Sequence, residues 1–320
     1  MHVYSSPLTT RFRGLDSREG VLLRGPAGWG EFSPFWEYDD AEALAWWRAA
    51  REACDDGWPP PVRTRVPVNV TVPATTPERA HAIVTASGGC TTAKVKVAER
   101  GQDVGEEIAR LEAVRDALGS AGRIRVDANG AWDVPTALDR LRHLDRAAGG
   151  LEYVEQPCPD VAGLAAVRRA THVPVAADES IRRAEDPYAV VRAEAADVVV
   201  LKVQPLGGVR ACLELAERIG LPVVVSSALE SSVGLAAGVA LAAALPDLPH
   251  ACGLATSQLL ARDVVPDPLL PVDGHLEVRR PEPDADSLAA TDAGSVDPAR
   301  AQAWRDRVAR VERLAAEGAA

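Results

Sequence analysis

The chain has 320 residues, of which 47% are hydrophobic and 25% charged, and its formal net charge is −11. This composition is typical of a globular protein, and the acidic balance argues against nucleic acid as a partner, because surfaces that bind nucleic acids are basic. The five scattered cysteines favour a reducing, cytoplasmic setting, and neither a signal peptide nor an apolar stretch long enough to span a membrane is predicted.

Residues 1–61 predict a small α+β unit that differs from the rest of the chain. A hairpin is indicated at 21–32, where two apolar strands flank a Gly-Pro turn. A helix over 41–53 follows two aspartates that can cap its N-terminus. The proline cluster at 57–61 marks the end of this N-terminal capping domain.

Residues 62–271 alternate between apolar strands and amphipathic helices. The eight predicted strands cover residues 62–72, 93–97, 123–128, 151–155, 173–177, 197–203, 221–226 and 250–254. The seven intervening helices cover residues 77–86, 106–118, 134–146, 160–170, 186–195, 208–219 and 231–245. This alternation implies a parallel sheet with right-handed crossovers and predicts a (β/α)7β modified TIM barrel. An open, doubly wound sheet is the alternative, but it binds ligands at one switch point, whereas polar residues here follow several consecutive strands.

Residues 272–320 form a C-terminal segment of different composition. Residues 279–297 are rich in Pro, Asp and Ala and predict a loop. A helix over 298–316 carries an apolar stripe that includes Trp304. We expect this helix to pack on residues 1–61, so that both ends of the chain form the cap.

Charged side chains stand at the C-terminal ends of five consecutive predicted strands. They are Lys94 and Lys96, Asp127, Glu155, Asp178 and Lys202. The spacings from the first aspartate onward are 28, 23 and 24 residues, each the length of one strand and one crossover helix. Because active sites of parallel barrels are built at this end of the strands, we expect these side chains to meet at one rim.

Three carboxylates at one rim would repel one another unless a cation compensates them. A hard divalent cation, Mg²⁺ first of all, takes oxygen ligands and leaves positions open for a substrate. Lys94 and Lys96 stand two residues apart on one strand and therefore face the same side. A lysine beside such a cation is a usable base, so the set predicts removal of a proton α to a carboxylate.

Several of these features also have a purely structural interpretation. Acidic residues after strands commonly cap helices, and Glu179, whose side chain points away from Asp178 along an extended strand, is expected to be structural. Cys158 lies near the rim, but no histidine is placed to activate it, so a buried packing residue is favoured. Arg11 and Arg13 fit ordinary surface charges as well as a substrate contact.

The motifs around these residues resemble those of the enolase superfamily, and within it the muconate-lactonizing subgroup. They run in family order along nearly the whole chain: Lys94-Val95-Lys96, Val-Asp-Ala-Asn-Gly-Ala-Trp at 126–132, Glu155-Gln156-Pro157, Ala-Asp-Glu-Ser at 177–180 and Leu-Lys-Val-Gln-Pro-Leu-Gly-Gly at 201–208. Enzymes of this superfamily pair a lysine base with Mg²⁺. The resemblance implies that Asp127, Glu155 and Asp178 bind Mg²⁺, with Mn²⁺ as an alternative. It also implies that Lys96 is the base and Lys202 the opposing lysine.

Four features narrow the resemblance to members of the subgroup that dehydrate a cyclohexadiene carboxylate bearing a succinyl chain, a step of menaquinone biosynthesis. They are the short chain, Arg-Phe-Arg-Gly at 11–14 with Arg-Glu-Gly at 18–20, Gly-Glu-Phe-Ser-Pro at 30–34, and Ser-Ser-Ala-Leu-Glu-Ser-Ser at 226–232. The resemblance implies a carbon–oxygen lyase. Lys96 would remove the α-proton and help the β-hydroxyl leave on the same face, and Lys202 would stabilise the enediolate.

The expected partner is a small carboxylate substrate. The residues expected to contact it are Lys94, Arg13, Ser226, Ser227 and Gly253. Of these, the two serines and the glycine would hold the succinyl end. The sequence leaves the oligomeric state open, and a monomer is compatible with it.

A racemase of N-acylated amino acids, or a dipeptide epimerase, is the main alternative. It would use Lys96 and Lys202 as acid–base catalysts on opposite faces of the substrate. Residues 252–256 read Cys-Gly-Leu-Ala-Thr and lack the Asp-x-Asp of the dipeptide epimerases, which counts against that alternative. Muconate cycloisomerisation is weaker still, and a non-catalytic scaffold has no physical need for a lysine that faces a metal site.

Overall fold

Three antiparallel strands open the chain in the computed structural model, which describes residues 1–292 and 297–318. They are β1 (His2–Phe12), β2 (Leu15–Gly25) and β3 (Gly28–Phe32), paired in that order. The predicted hairpin at 21–32 is confirmed, but β1 was not predicted. Proline within a run argues against a strand, and Pro7 is tolerated because β1 is an edge strand of this sheet.

The helix α1 (Asp40–Asp55) packs on this sheet and confirms the helix predicted over 41–53. Asp39 caps it by accepting a hydrogen bond from the Glu42 amide at 2.8 Å. Trp47 lies edge-on to Phe32, with 5.7 Å between ring centroids. Such aromatic contacts belong to a second core, separate from that of the barrel, which the N-terminal unit shares with Ala228 and with residues 301–311.

The remaining strands are short. They are β4 (Arg65–Pro67), β5 (Val70–Val72), β6 (Thr92–Lys96), β7 (Arg123–Asp127), β8 (Tyr153–Glu155), β9 (Val175–Ala177), β10 (Val198–Leu201), β11 (Val223–Val225) and β12 (His275–Glu277). Strands β5 to β11 form one parallel sheet in chain order. The predicted strand at 62–72 is therefore two strands, because β4 leaves the barrel to pair antiparallel with β12.

Two isolated parallel bridges close this sheet into a barrel. Val68 pairs with Cys252 at one edge, and Ser226 pairs with Gly253 at the other. The predicted eighth strand, residues 250–254, is reduced to these two bridged residues. The (β/α)7β barrel is thus confirmed, and the C-terminal ends of its strands share one rim.

The helices that follow the barrel strands cover the outside of the sheet. They are α2 (Pro77–Thr85), α3 (Val104–Leu118), α4 (Val134–Ala148), α5 (Val161–Ala170), α6 (Glu179–Arg182), α7 (Ala189–Arg192), α8 (Val209–Ile219) and α9 (Ser232–Ala244). The helix predicted over 186–195 is wrong, since only the single turn α7 forms there, and the turn α6 was not predicted. Pro187 sets where this turn can begin, because a residue before proline avoids the helical region, and Glu194 ends it by adopting a φ of 48°.

Two helices end the described chain. The first, α10 (Ala285–Asp292), lies in the segment predicted as a loop, so that prediction is wrong there. The second, α11 (Pro298–Glu317), confirms the predicted terminal helix and packs on α1. Residues 293–296 of the predicted loop and residues 319–320 of the C-terminal segment lie outside the described residues. In the described part of the chain, every helix is too short or too polar to cross a membrane.

Candidate active site

The strand register brings the predicted charged residues to the C-terminal rim of the barrel. Lys96, Asp127 and Glu155 are Cα partners across β6, β7 and β8. Asp178 directly follows β9, and Lys202 directly follows β10. All five therefore occupy the same end of consecutive parallel strands, where barrel active sites form.

Lysine ammonium groups bind the first two carboxylates. The Lys94 Nζ donates to both oxygens of Glu155 at 2.9 and 3.0 Å and lies 3.2 Å from Asp127. The Lys96 Nζ donates to Asp127 Oδ2 at 2.5 Å. Both carboxylates are 1% exposed, so these interactions act with little solvent screening.

The third carboxylate, Asp178, is fully buried and has its own cations. Lys202 Nζ donates to its Oδ2 at 2.6 Å, and Arg182 Nε donates to its Oδ1 at 3.0 Å. The Gln156 side chain accepts from the amides of Asp178 and Ser180 at 3.0 and 3.2 Å. The end of β8 thereby fixes the backbone that presents Asp178.

The pKa values of the carboxyl groups in this cluster are shifted in opposite directions. Burial alone would raise the pKa of Asp127, but Lys96 and Lys94 lower it well below its ordinary range. Burial would likewise raise the pKa of Asp178, and Lys202 with Arg182 lowers it. Glu155 differs, because burial and the neighbouring Asp127 raise its pKa to about 7. Negative charge around Glu155 is therefore only partly compensated by the lysines.

The donor set fits a hard divalent cation, although the side chains are turned toward lysine and arginine. Among the residues described, no three His, Cys, Asp or Glu side chains are grouped so that they could hold a metal ion as they stand. Yet Asp127, Glu155 and Asp178 supply oxygens only, from the ends of three neighbouring strands, and oxygen donors are the ligands that a hard divalent cation takes. The Lys94 ammonium stands in for one where it bridges Glu155 and Asp127.

The predicted substrate contacts Ser226, Ser227 and Gly253 lie together across the barrel from β7. Ser227 Oγ is 2.6 Å from Thr256 Oγ1 and accepts from the Leu229 amide at 2.7 Å. A Cβ on Gly253 would lie 2.6 Å from Ser226 Oγ and 3.3 Å from Ser226 Cβ, so a larger residue there would displace the serine hydroxyl. Thr256 was missed by the sequence reasoning, since only the closed barrel brings it to Ser227.

Arg13 lies at the tip of the hairpin that joins β1 and β2. Its Nη2 donates to Glu37 at 2.9 Å and to the Tyr38 hydroxyl at 3.2 Å, and its side chain is 37% exposed. The neighbouring Phe12 ring centroid is 6.0 Å from Lys96 Nζ. The hairpin tip thus covers the rim, and Phe12 rather than Arg13 is its contact with the lysine cluster.

Asn129 is a further neighbour of Lys96 that was not singled out. Its Oδ1 accepts from Lys96 Nζ at 2.9 Å, and its amide donates to Asp127 Oδ1 at 3.1 Å. Its φ of 48° lies in the left-handed region, which asparagine tolerates better than most residues. The spacing Asp127-x-Asn129 was the available signal. Glu179, expected to be structural, accepts from Arg182 Nη2 at 2.6 Å and from Asn129 Nδ2 at 3.3 Å.

A second layer of polar side chains lies beneath this rim. Lys94, Arg125 and Tyr153 are Cα partners, two residues before the upper layer on each strand. Arg125 is 0% exposed, donates to Glu152 at 2.5 Å and lies 4.7 Å from the Tyr153 ring centroid. A buried positive charge therefore stands on β7 beside Lys94, a feature that the alternation of Arg125 with Asp127 could have indicated.

Comparisons with known proteins identify the family of the chain. The model of the family described as enolase C-terminal domain-like matches residues 76–283, and the enolase N-terminal domain-like model matches residues 3–54. An o-succinylbenzoate synthase of Thermobifida fusca is 65% identical over 306 residues, which cover 96% of this chain and 94% of the relative. One of Mycobacterium bovis is 52% identical over 308 residues, which cover 96% and 92%.

Solved structures show the same fold at lower identity. The muconate lactonizing enzyme of Pseudomonas fluorescens aligns with a TM-score of 0.78 at 22% identity, covering 91% of this chain and 97% of the other. The L-Ala-D/L-Glu epimerase of Bacillus subtilis aligns with a TM-score of 0.74 at 24% identity, covering 88% and 95%. At these identities the likeness establishes the fold alone.

Proposed function

The chain belongs to the enolase superfamily and, within it, to the o-succinylbenzoate synthases, which are carbon–oxygen lyases, and from this membership we propose its reaction in detail. It converts 2-succinyl-6-hydroxy-2,4-cyclohexadiene-1-carboxylate to 2-succinylbenzoate, a step of menaquinone biosynthesis, by syn loss of water. The observation that carries the proposal is the 65% identity with the synthase of Thermobifida fusca, which extends over 96% of this chain.

Asp127, Glu155 and Asp178 are the proposed ligands of a divalent metal, Mg²⁺ or alternatively Mn²⁺. Superfamily members generally use a divalent metal, and these three buried carboxylates offer the oxygen donors that Mg²⁺ prefers. When bound, the cation would neutralise the substrate carboxylate and the second negative charge that develops there as the α-proton leaves.

Lys96 is the proposed base. Its neutral Nζ accepts the α-proton, and the electron pair of the broken C–H bond begins the enediolate. The resulting ammonium then gives a proton to the β-hydroxyl as the C–O bond breaks, so water leaves from the face on which the proton was taken. Hydrogen bonds to Asp127 and Asn129 support this role because they fix the direction in which Nζ points.

Lys202 and Lys94 are proposed to act as fixed positive charges. Lys202 is held at Asp178 and would face the enediolate from the side opposite Lys96. Burial would lower the pKa of Lys94, but Glu155 and Asp127 raise it well above its ordinary value. These two carboxylates hold the Lys94 side chain at the rim, where it is proposed to contact the substrate carboxylate.

The succinyl end is assigned to Ser226, Ser227 and Gly253, and Arg13 at the hairpin tip is proposed as a separate contact for the substrate. Two hydroxyl groups and a glycine that leaves space beside Ser226 suit a carboxylate-bearing chain. The racemase alternative is not favoured, because the relatives at 52% identity and above are named synthases, whereas the epimerase match lies at 24% identity.

The test is an assay of the dehydration of the hydroxycyclohexadiene carboxylate, in which the reaction is monitored by the loss of diene absorbance. We expect rapid turnover with Mg²⁺ and none after chelation, with recovery when Mg²⁺ is returned. The matched control is Lys96→Ala, which removes the proposed base and leaves the three carboxylates. No turnover by metal-loaded wild-type protein, together with racemisation of an N-succinylamino acid, would refute the proposal.

A further inference from the structure

The loop that joins β11 to α9, residues 226–231, is held from outside by the N-terminal unit. Arg18 of β2 is 2% exposed and reaches across to this loop, where its Nε donates to the Leu229 carbonyl at 2.9 Å. Its other nitrogens donate to the carbonyls of Ser33 and Glu19. A single buried guanidinium thus ties the loop to two backbone positions of the N-terminal unit, with charge-assisted hydrogen bonds.

The residue that Arg18 holds is the strained point of the loop. Leu229 has a φ of 66°, a conformation that costs free energy for a side chain branched beyond Cβ. Its amide donates to Ser227 Oγ at 2.7 Å, so the turn at Leu229 sets the direction of that hydroxyl. Arg18 and Ser227 are therefore connected through one residue whose conformation needs support.

Glu31 of β3 holds the other end of the same loop. Its carboxylate is 2% exposed and accepts from the amides of Ser231 and Gly234, both at 3.1 Å, at the N-terminus of α9. The Tyr4 hydroxyl donates to it at 2.8 Å and the Ser33 hydroxyl at 2.6 Å. A carboxylate at this position also complements the positive end of the helix dipole.

We infer that Arg18 and Glu31 are positioning residues that determine how the substrate's succinyl end is bound. They touch the loop rather than the reacting atoms, and they act by fixing the segment that carries Ser227. This inference rests on the proposed function, because it needs Ser227 to contact the succinyl chain. Lys96 on β6 is separated from the loop by β5 and the bridged residues 252–253, so we expect binding to change more than the proton transfer.

The chain offers a matched control for loosened packing between the two units. Glu52 of α1 accepts from the amides of Val209 and Arg210 at 2.6 and 3.1 Å, at the N-terminus of α8. It belongs to the same interface as Glu31, but it supports a different helix. Glu52→Gln should therefore lower stability as Arg18→Met does, without moving Ser227.

The experiment compares Arg18→Met, Arg18→Lys, Glu31→Gln and Glu52→Gln with wild type. We expect Arg18→Met to raise KM roughly tenfold while kcat changes less, since it loses a charged hydrogen bond that supports binding. Arg18→Lys keeps one donor for the Leu229 carbonyl, so its KM should lie between those of wild type and Arg18→Met. In Glu31→Gln the amide can face the hydroxyls of Tyr4 and Ser33, so its effect should be smaller than that of Arg18→Met.

The ratio of the inhibition constants for 2-succinylbenzoate and benzoate distinguishes the two roles, because a general loss of stability would not change this ratio. Arg18→Met should weaken inhibition by 2-succinylbenzoate and leave benzoate unchanged, whereas Glu52→Gln should leave the ratio of the two constants at the wild-type value. If the ratio of the two inhibition constants is the same in Arg18→Met as in Glu52→Gln, this inference is refuted while the proposed function stands. If Arg18→Met does not fold, the same ratio in Arg18→Lys decides. No turnover by wild type would instead refute the proposed function, and the inference with it.

Discussion

Replacing Lys96 by arginine separates a base from a fixed cation. Arginine keeps a positive charge beside Asp127 but cannot be deprotonated in a protein. Loss of a general base typically costs about 10²–10⁴ in rate, and we expect Lys96→Arg to reduce kcat by roughly 10³-fold or more. Lys202→Arg is the matched control, because its proposed role is electrostatic and its charge at Asp178 is retained. We expect that variant to keep kcat within about tenfold of wild type.

The structure indicates that loss of activity in position-96 variants will not come from unfolding. Lys96 lies 2.5 Å from Asp127, but Lys94 lies 3.2 Å from the same carboxylate. Even Lys96→Ala therefore leaves Asp127 paired. Its cost in unfolding free energy should be about 1–2 kcal/mol, below the roughly 3–5 kcal/mol of an uncompensated buried ion. Urea denaturation measures this cost directly.

The assay is the diene absorbance at saturating substrate and Mg²⁺, so that kcat is compared rather than affinity. Near-normal turnover by Lys96→Arg would refute the assignment of Lys96 as the base. An equal and large loss in both arginine variants would also contradict the reasoning, because it would mean that Lys202 must exchange a proton too. That outcome is the one expected of a racemase with two acid–base lysines.

Three further predictions test the metal site, the electrostatics and the pocket. Asp178→Asn should weaken Mg²⁺ activation by at least about tenfold, measured by titrating activity with the metal, and an unchanged titration would remove Asp178 from the ligands. Because the pKa of Glu155 is raised from 4.5 to about 7, the metal-free folded chain holds a proton that the unfolded chain releases. Its unfolding free energy should therefore fall as pH rises from about 4.5 through about 7, and Glu155→Gln should flatten that slope in urea denaturation with chelator. Gly253→Ala should raise KM several-fold, because its Cβ would meet Ser226 Oγ at 2.6 Å, and steady-state kinetics with an unaltered KM would show that Ser226 does not need its present position.

The barrel could be predicted because each of its units is local. One strand and one helix fit within about 25–30 residues, and the charge that ends each strand is visible in the same window. The split of residues 62–72 could not be seen in this way, because the partner of β4 is β12, about two hundred residues later. The role of Arg18 could not be predicted either, because nothing in its neighbouring sequence indicates a partner. Its contact, Leu229, is 211 positions away along the chain.

The same distinction applies within the candidate site. The three carboxylates and the lysines were found from strand ends alone, since the fold places those ends together. The cations that hold them were not all found, because Arg182 lies on a helical turn that was not predicted and Arg125 lies one layer lower in the barrel. Burial of these charges depends on the closed barrel, which no single segment of sequence reveals.

The distribution of basic residues connects this site to its chemistry. Of the 35 basic residues of the chain, 32 are arginines and three are lysines. The three lysines are Lys94, Lys96 and Lys202. Arginine suffices for the ion pairs elsewhere, including the buried pair of Arg125 with Glu152. Lysine differs from arginine in two ways that matter at the rim: it can lose its proton, and its compact ammonium fits between two carboxylates where a planar guanidinium would not. Lys96 uses the first property in the proposed reaction, and Lys94, between Glu155 and Asp127, uses the second. Lys202, which is proposed to act as a fixed positive charge, needs neither property, so the retained activity expected of Lys202→Arg tests this distinction.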